Sequence, residues 1–446
     1  MMKNAIALTV AAAACVLALS AQERAGSPTG ITAFVGVNVI PMDRDTVLRD
    51  RTVIVRDGRI ASIGERKEIP SGATLVQGAG KYLMPALAEM HAHIPGGNAP
   101  DAVIERTLFL YVANGLGTIR GMLGHPRHLE YRERAAKGEV LGPRIYTSGP
   151  SLNGNSVPTT EAAITAVESQ KKAGYDLLKI HPGIQRDVFD ALAARAHEIE
   201  IPFAGHVPLD VGLHRALEAR YRSIDHLDGY LEAMAKNAAS QFFGVNLVNE
   251  LDDSRIPALV AATKKAGTWM VPTQILMENL MNDEDPAQMA KRPEIRYALN
   301  PGEVQKWIAQ KQMFLEKVPA ADRARFIAVR RRLLKALHDG GVPFALGSDA
   351  PQWWNVPGFS VHRELQSLVD AGLTPYEALR TGTVNVATYF GEADAGSVAE
   401  GKRADLILLD ANPLEHISNS SRIAGVVING RWLAKDEIEK RLSAGS

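Results

Sequence analysis

The chain is short of cysteine, of surplus charge and of long apolar runs, and each shortage narrows what it can be. Its single cysteine, Cys15, lies in an apolar N-terminal stretch, so the remaining residues offer neither a disulfide framework nor a cysteine-ligated metal. Lysine plus arginine and aspartate plus glutamate each number 50, which leaves no basic excess to attract nucleic acid or an anionic membrane. No apolar run has the length of a membrane span. The partner class that remains is a small molecule or a dipeptide-like substrate, and a homo-oligomer is compatible with this composition. At 446 residues the chain has room for one large domain and a smaller one.

The N-terminus reads differently from the rest. Lys3 precedes an Ala-rich apolar run from Ala5 to Leu19, and Ala18, Ser20 and Ala21 supply small residues for cleavage near Gln22. This pattern predicts a signal peptide over 1–21 and a periplasmic or secreted mature protein. Ala12-Ala13-Ala14-Cys15 is a poor lipoprotein box, so lipid anchoring at Cys15 is not expected.

Two regions at opposite ends read as β structure. Thr52 to Arg56 and Arg59 to Ile63 flank Asp57-Gly58, and Gly425 to Ile428 meets Arg431 to Leu433 across Asn429-Gly430, both strong hairpin signals. Short strands from one end alone would leave an apolar face uncovered, so 29–82 and 393–436 together predict one small β-sandwich domain. Between them, over 83–392, strand-like and helix-like segments alternate. The strand candidates are 84–90, 116–122, 143–149, 175–181, 201–206, 222–227, 268–273 and 342–348, with helical patterns such as Asp187 to Glu198 and Arg323 to His338 between. The fold class is α/β, and eight such units predict a (β/α)8 TIM barrel. Residues 274–320 are too long for a connection and read as an insert after strand seven, a candidate lid.

Five strand ends carry groups able to hold a cation. His91 and His93 follow the first strand and, two apart, face one way. Lys179 closes an apolar strand; it is either a surface lysine or a buried one whose amine becomes carbamylated and bridges two cations. His206 and His226 end neighbouring strands. Asp349 closes the eighth as a metal ligand and general base, or else as a helix cap. Singly each has an ordinary explanation. Together they bring nitrogen and oxygen donors to the C-terminal rim, where barrel active sites sit. His181 and Tyr230 are candidate substrate contacts, Trp353-Trp354 a candidate pocket wall, and His362 a packing or capping residue.

With these residues in view, the chain resembles the amidohydrolase superfamily, in its binuclear-metal class and its imidazolonepropionase-like and prolidase-like branch. The resemblance rests on His91-x-His93, Lys179, His206, His226, Gly347-Ser348-Asp349 and the run Gly396 to Leu406, and spans about 30 to 435. It implies that His91 and His93 bind one ion and His206 and His226 the other. Carbamylated Lys179 would bridge them, and Asp349 would bind the first and act as catalytic acid and base. Three positions depart from the usual pattern: Glu89 where an Asp is common, Arg120-Gly121 for Arg-Asp, and Leu152 to Asn155 in place of Gly-Gly-His.

The resulting expectation is a metal-dependent hydrolase of carbon–nitrogen bonds that uses a hydroxide bridging two divalent ions, with zinc first choice for an imidazole-rich site. An X-Pro dipeptide, another N-acyl amino acid or a cyclic amide would be the substrate. The competing readings are a lactone, ester or phosphotriester hydrolase on the same residues, and a non-catalytic metal-binding protein, which would not require Asp349.

Overall fold

The computed structural model describes residues 30–444 apart from 66, 237–239 and 299; the expected signal peptide and Cys15 lie outside the described residues. The chain begins with β1 (Ile31–Val39), β2 (Leu48–Arg56), β3 (Arg59–Gly64), β4 (Thr74–Gln77) and β5 (Tyr82–Pro85). Asp57 and Gly58 take φ of 50° and 73°, the left-handed pair a two-residue turn requires, and join β2 to β3. Parallel strands follow: β6 (Leu87–Ala92), β7 (Leu116–Gly121), β8 (Arg144–Thr147), β9 (Leu178–Ile180), β10 (Phe203–Gly205), β11 (Ser223–Asp225) and β12 (Trp269–Val271). The chain closes with β13 (Leu406–Leu409), β14 (Ile423–Ile428) and β15 (Arg431–Ala434).

Both chain ends build one eight-stranded sheet, ordered β15-β14-β13-β5-β1-β2-β3 with β4 on β1. β5 and β13 pair in antiparallel register from Leu406–Pro85 to Leu409–Tyr82. The sequence reading anticipates two layers; the strands register as one hydrogen-bonded sheet that turns back on itself, with Arg59 bridging Arg403. The reason lies in β1, whose pairing with β2 shifts register twice after Phe34. It runs beside β4 through residues 32–35 and beside β5 through 38–39, so one strand serves three neighbours. A single core takes Phe34, Val53 and Ile60 from one end of that sheet and Leu406, Leu408 and Val427 from the other.

The intervening strands form two parallel sheets, β6-β7-β8 and β12-β11-β10-β9. Their residues are buried throughout β6, β7, β9, β10, β11 and β12, as expected where both faces are covered. Helices alternate with them, among them Asp101–Ala113, Thr160–Ala173 and Arg186–Glu198. Thr159 caps the second of these through the Ala162 amide, and Gly174 ends it in left-handed backbone. Isolated parallel bridges pair Ser148 with Leu177 and Leu152 with Ile180, between β8 and β9. Two more pair Met270 with Phe344 and Ala92 with Ala350.

The expected strand at 342–348 is not a regular strand, although the segment takes that place. Its donors go to different partners: Ala345 to Met270, Leu346 to Thr381 and Asp349 to His91. No continuous ladder forms. The expected insert carries helices of its own, Gln274–Met281, Pro286–Met289 and Pro301–Lys317, before the long helix Ala320–Asp339. Among the described residues no helix is long and apolar enough to cross a membrane.

Candidate metal centre

His91 stands within β6, His93 just past it, Lys179 in β9, His206 and His226 immediately after β10 and β11, and Asp349 beside β6. Parallel pairing sets Lys179 opposite Ala204, so neighbouring strands deliver their polar ends to one rim. Two glycines make the approach close enough. A Cβ on Gly205 would meet the Lys179 Cδ at 2.9 Å, and one on Gly347 would meet the His91 backbone nitrogen at 3.0 Å. Only a hydrogen in place of a side chain lets these strands carry their ligands together.

The side chains converge. One donor atom from each of His91, His226 and Asp349 lies within 4.8 Å of the others. His91 Nε2 is 3.4 Å from the Lys179 Nζ and 3.4 Å from Asp349 Oδ1, and His93 Nε2 is 2.7 Å from the same oxygen. Ring centroids step from His93 to His91 at 5.3 Å, to His226 at 4.6 Å, to His206 at 4.6 Å and to His181 at 4.9 Å. Lys179 is fully buried, which removes the surface reading. All six expected ligands are gathered at one place.

Outer groups turn the imidazoles. His206 Nδ1 sits 2.6 Å from Asp228 Oδ2, and His226 Nδ1 sits 2.7 Å from the Thr273 hydroxyl. His91 Nδ1 faces Asp225 Oδ2 at 3.0 Å, without the alignment of a hydrogen bond. The same Asp225 stands 3.7 Å from the Lys179 amine, and its other oxygen accepts from the buried Arg120 at 3.2 Å. Nδ1 is hydrogen-bonded in His206 and His226, and His226 Nε2 is buried without a hydrogen-bond partner. That pattern is how proteins orient metal-binding histidines. Burial holds His91 and His226 well below the ordinary imidazole range, reinforced by Lys179 at the former and His206 at the latter. Both are therefore neutral donors. Burial also pushes the Lys179 amine down, toward the form that reacts with carbon dioxide. Neutral imidazoles with a carboxylate fit a borderline divalent cation such as zinc.

Glu89, the departure noted above, is buried beneath this cluster. It accepts from the His91 amide at 3.0 Å, the Ser348 amide at 2.8 Å and the Ser348 hydroxyl at 2.6 Å, tying β6 to the Asp349 segment. Burial raises its carboxyl to about 8, against those hydrogen bonds.

Of the candidate substrate contacts, His181 joins the cluster, bonded to Ser151 and held neutral by burial at about 3. Tyr230 does not. Its hydroxyl meets Thr263 Oγ1 at 2.7 Å and the Met270 sulfur at 3.4 Å, inside the core. Trp354 is fully buried, packed on Trp307, whereas Trp353 stays partly exposed and meets Phe243 edge-on at 5.3 Å. His362 is a packing residue, with Nδ1 3.0 Å from the Ser420 hydroxyl and Nε2 3.2 Å from the Asn114 carbonyl. Asp225, Asp228 and Thr273 went unread in the sequence. Asp225 and Asp228 bracket His226 closely enough that a carboxylate beside a ligand histidine could have flagged them; Thr273 carried no such signal.

Comparison with known proteins agrees with this geometry. The profile described as "Amidohydrolase family" matches residues 82–433. The chain is 24% identical over 418 residues to ochratoxinase from Aspergillus niger, covering 85% of this chain and 81% of that protein. It is 24% identical over 430 residues to imidazolonepropionase from Idiomarina loihiensis, covering 89% and 95%. The crystal structure of a Xaa-Pro dipeptidase with bound methionine superposes with a TM-score of 0.66 at 18% identity, over 91% of this chain and 100% of that one.

Proposed function

This chain belongs to the amidohydrolase family and is a metal-dependent hydrolase of carbon–nitrogen bonds; from that premise we propose that it cleaves the amide of an N-acyl amino acid or dipeptide, X-Pro dipeptides included. His91, His93 and Asp349 would hold one divalent ion and His206 and His226 a second, with Lys179, as a carbamate, a further oxygen donor, and zinc would suit this donor set. Support comes from one observation above all: His91, His226 and Asp349 are all buried and bring one donor atom each to within 4.8 Å of the others, with His91 also 3.4 Å from the Lys179 amine. The architecture proposed around it is a closed (β/α)8 barrel over 83–392 with the two-ended β domain, 29–82 plus 393–436, beside it. The parallel bridges at Ser148, Leu152, Phe344 and Ala350 support closure.

Divalent ions in such a site supply Lewis-acid activation of water and of the scissile carbonyl. The chain's own residues do the rest. Asp349, 2.7 Å from His93 Nε2, takes a proton from the attacking water and delivers it to the departing nitrogen, which leaves only when protonated. Asp225 holds His91 and Lys179 from below, and Asp228 fixes His206. His181, neutral and lodged against Ser151 and His206, positions the substrate's polar end.

The test is turnover and bound zinc for wild type and Asp349→Asn over a panel of N-acyl amino acids, X-Pro dipeptides and lactones. Expected are hydrolysis of nitrogen substrates and a variant that keeps all or part of its metal but loses turnover. Silence on every amide with turnover of lactones would transfer the site to ester chemistry.

A further inference from the structure

Three residues carrying side chains sit in left-handed backbone beside the candidate ligands: His226 at φ 63°, Leu227 at 60° and Thr273 at 44°. Residues other than glycine keep such conformations only where their surroundings impose them. The first two open the loop after β11 and the third lies in the loop after β12. One side chain reaches both loops.

We infer that Arg330 is a positioning residue that locks these two turns together and thereby sets the imidazole of His226. Arg330 lies on the helix Ala320–Asp339, and its guanidinium is buried. Nη1 donates to the His226 carbonyl at 2.7 Å, Nη2 to the Pro272 carbonyl at 3.2 Å and Nε to Gln274 Oε1 at 2.9 Å. Among the described residues no carboxylate forms an ion pair with it; its hydrogen bonds go to neutral oxygens, and Asp228, Glu364, Glu278 and Glu232 act on it only from a longer range. Burying a charge that way is costly, and its position accounts for it. The flat, three-sided fork addresses both loops at fixed angles, which a lysine's single ammonium cannot do. With the loops pinned, the Thr273 hydroxyl stands 2.7 Å from His226 Nδ1, and Nε2 is left buried without a hydrogen-bond partner.

The anchor extends outward. The backbone N–H groups of Gln274 and Ile275 donate to the Glu364 carboxylate at 2.9 and 2.7 Å, so the first turn of Gln274–Met281 is held from two sides. The residues that begin the expected insert are the same ones that fix a metal ligand.

This inference rests on the reading of His226 as a ligand. The experiment titrates zinc into full-length apoprotein against a chromophoric chelator, for wild type, Arg330→Lys, Thr273→Val and His226→Ala, with circular dichroism as the folding control. Arg330→Lys and Thr273→Val are expected to fold and to weaken zinc binding by about 10–100-fold, the usual effect of removing a group behind a ligand. A folded Arg330→Lys protein with wild-type zinc affinity overturns the inference, even if its melting temperature drops, because a merely structural arginine gives that result. Should Arg330→Lys not fold, Thr273→Val decides, and unchanged affinity there overturns it. Wild-type affinity in His226→Ala refutes the ligand assignment itself, and the inference with it.

Discussion

Replacing Gly347 with alanine is a sharp test of how tightly the metal centre is framed. A Cβ at that position would lie 2.5 Å from Val271 Cγ1, 3.0 Å from the His91 backbone nitrogen and 3.1 Å from His91 Cβ. Carbon atoms in comfortable contact are about 3.5–4.0 Å apart, so β6 must retreat by roughly half an ångström and the Val271 side chain by about one. Neither neighbour has room: Val271 and His91 are both buried. Overpacking of this kind costs about 1–3 kcal/mol of stability. The displaced strand carries His91, and a shift on the order of 1 Å in a reacting group can cost about 100-fold in rate. The assays are zinc titration, kcat/KM on the best amide substrate and thermal unfolding, all on the same preparation. Loss of stability, weaker zinc binding and a kcat/KM reduced by about 10–100-fold are expected together. A folded Gly347→Ala enzyme with wild-type zinc affinity and rate would show that the close approach of these strands does not set the site.

Lys179→Ala is expected to lose zinc, and added acetate or propionate to restore part of it by standing in for a carbamate; full occupancy without any added carboxylate would contradict the bridging role. His362→Gln addresses stability rather than chemistry. Burial lowers His362 from 6.5 to about 4, so its contribution is complete above pH 6.5 and is lost as the pH falls toward about 4. At about 1.4 kcal/mol per unit that amounts to about 3 kcal/mol. Denaturant unfolding across this window should therefore show a shallower acid loss in the variant than in wild type, and parallel curves would refute the assignment.

The convergence of the candidate ligands was legible because each closes an apolar run, and alternation along a strand fixes which way such a residue points. The hairpins at Asp57-Gly58 and Asn429-Gly430 were legible for a similar local reason: few other pairs accept two successive left-handed conformations. What escaped was non-local or depended on a single dihedral. Tyr230 follows His226 by four residues, but Gly229 at φ 83° turns the chain, so the tyrosine enters the core instead of the mouth. Arg330 and His226 are 104 residues apart, and no spacing rule connects them. The segment 342–348 has the apolar composition of a strand, yet its hydrogen bonds are divided among β6, β12 and the helix Pro375–Thr381. The register shifts within β1, which let it serve three neighbours, are not encoded in composition.

The pairing of β5 with β13 has a consequence for biosynthesis. The first five strands leave the ribosome long before their partner at 406–409 exists, and throughout that interval the edge at Tyr82–Pro85, with Leu83 and Met84 at its centre, has no neighbour. An open apolar edge is a template for the wrong chain, and contacts so distant in sequence form late. Chains released early, before residue 406, should for that reason be captured by chaperones or aggregate, so that the last tenth of the polypeptide acts as a completion signal for the first fifth.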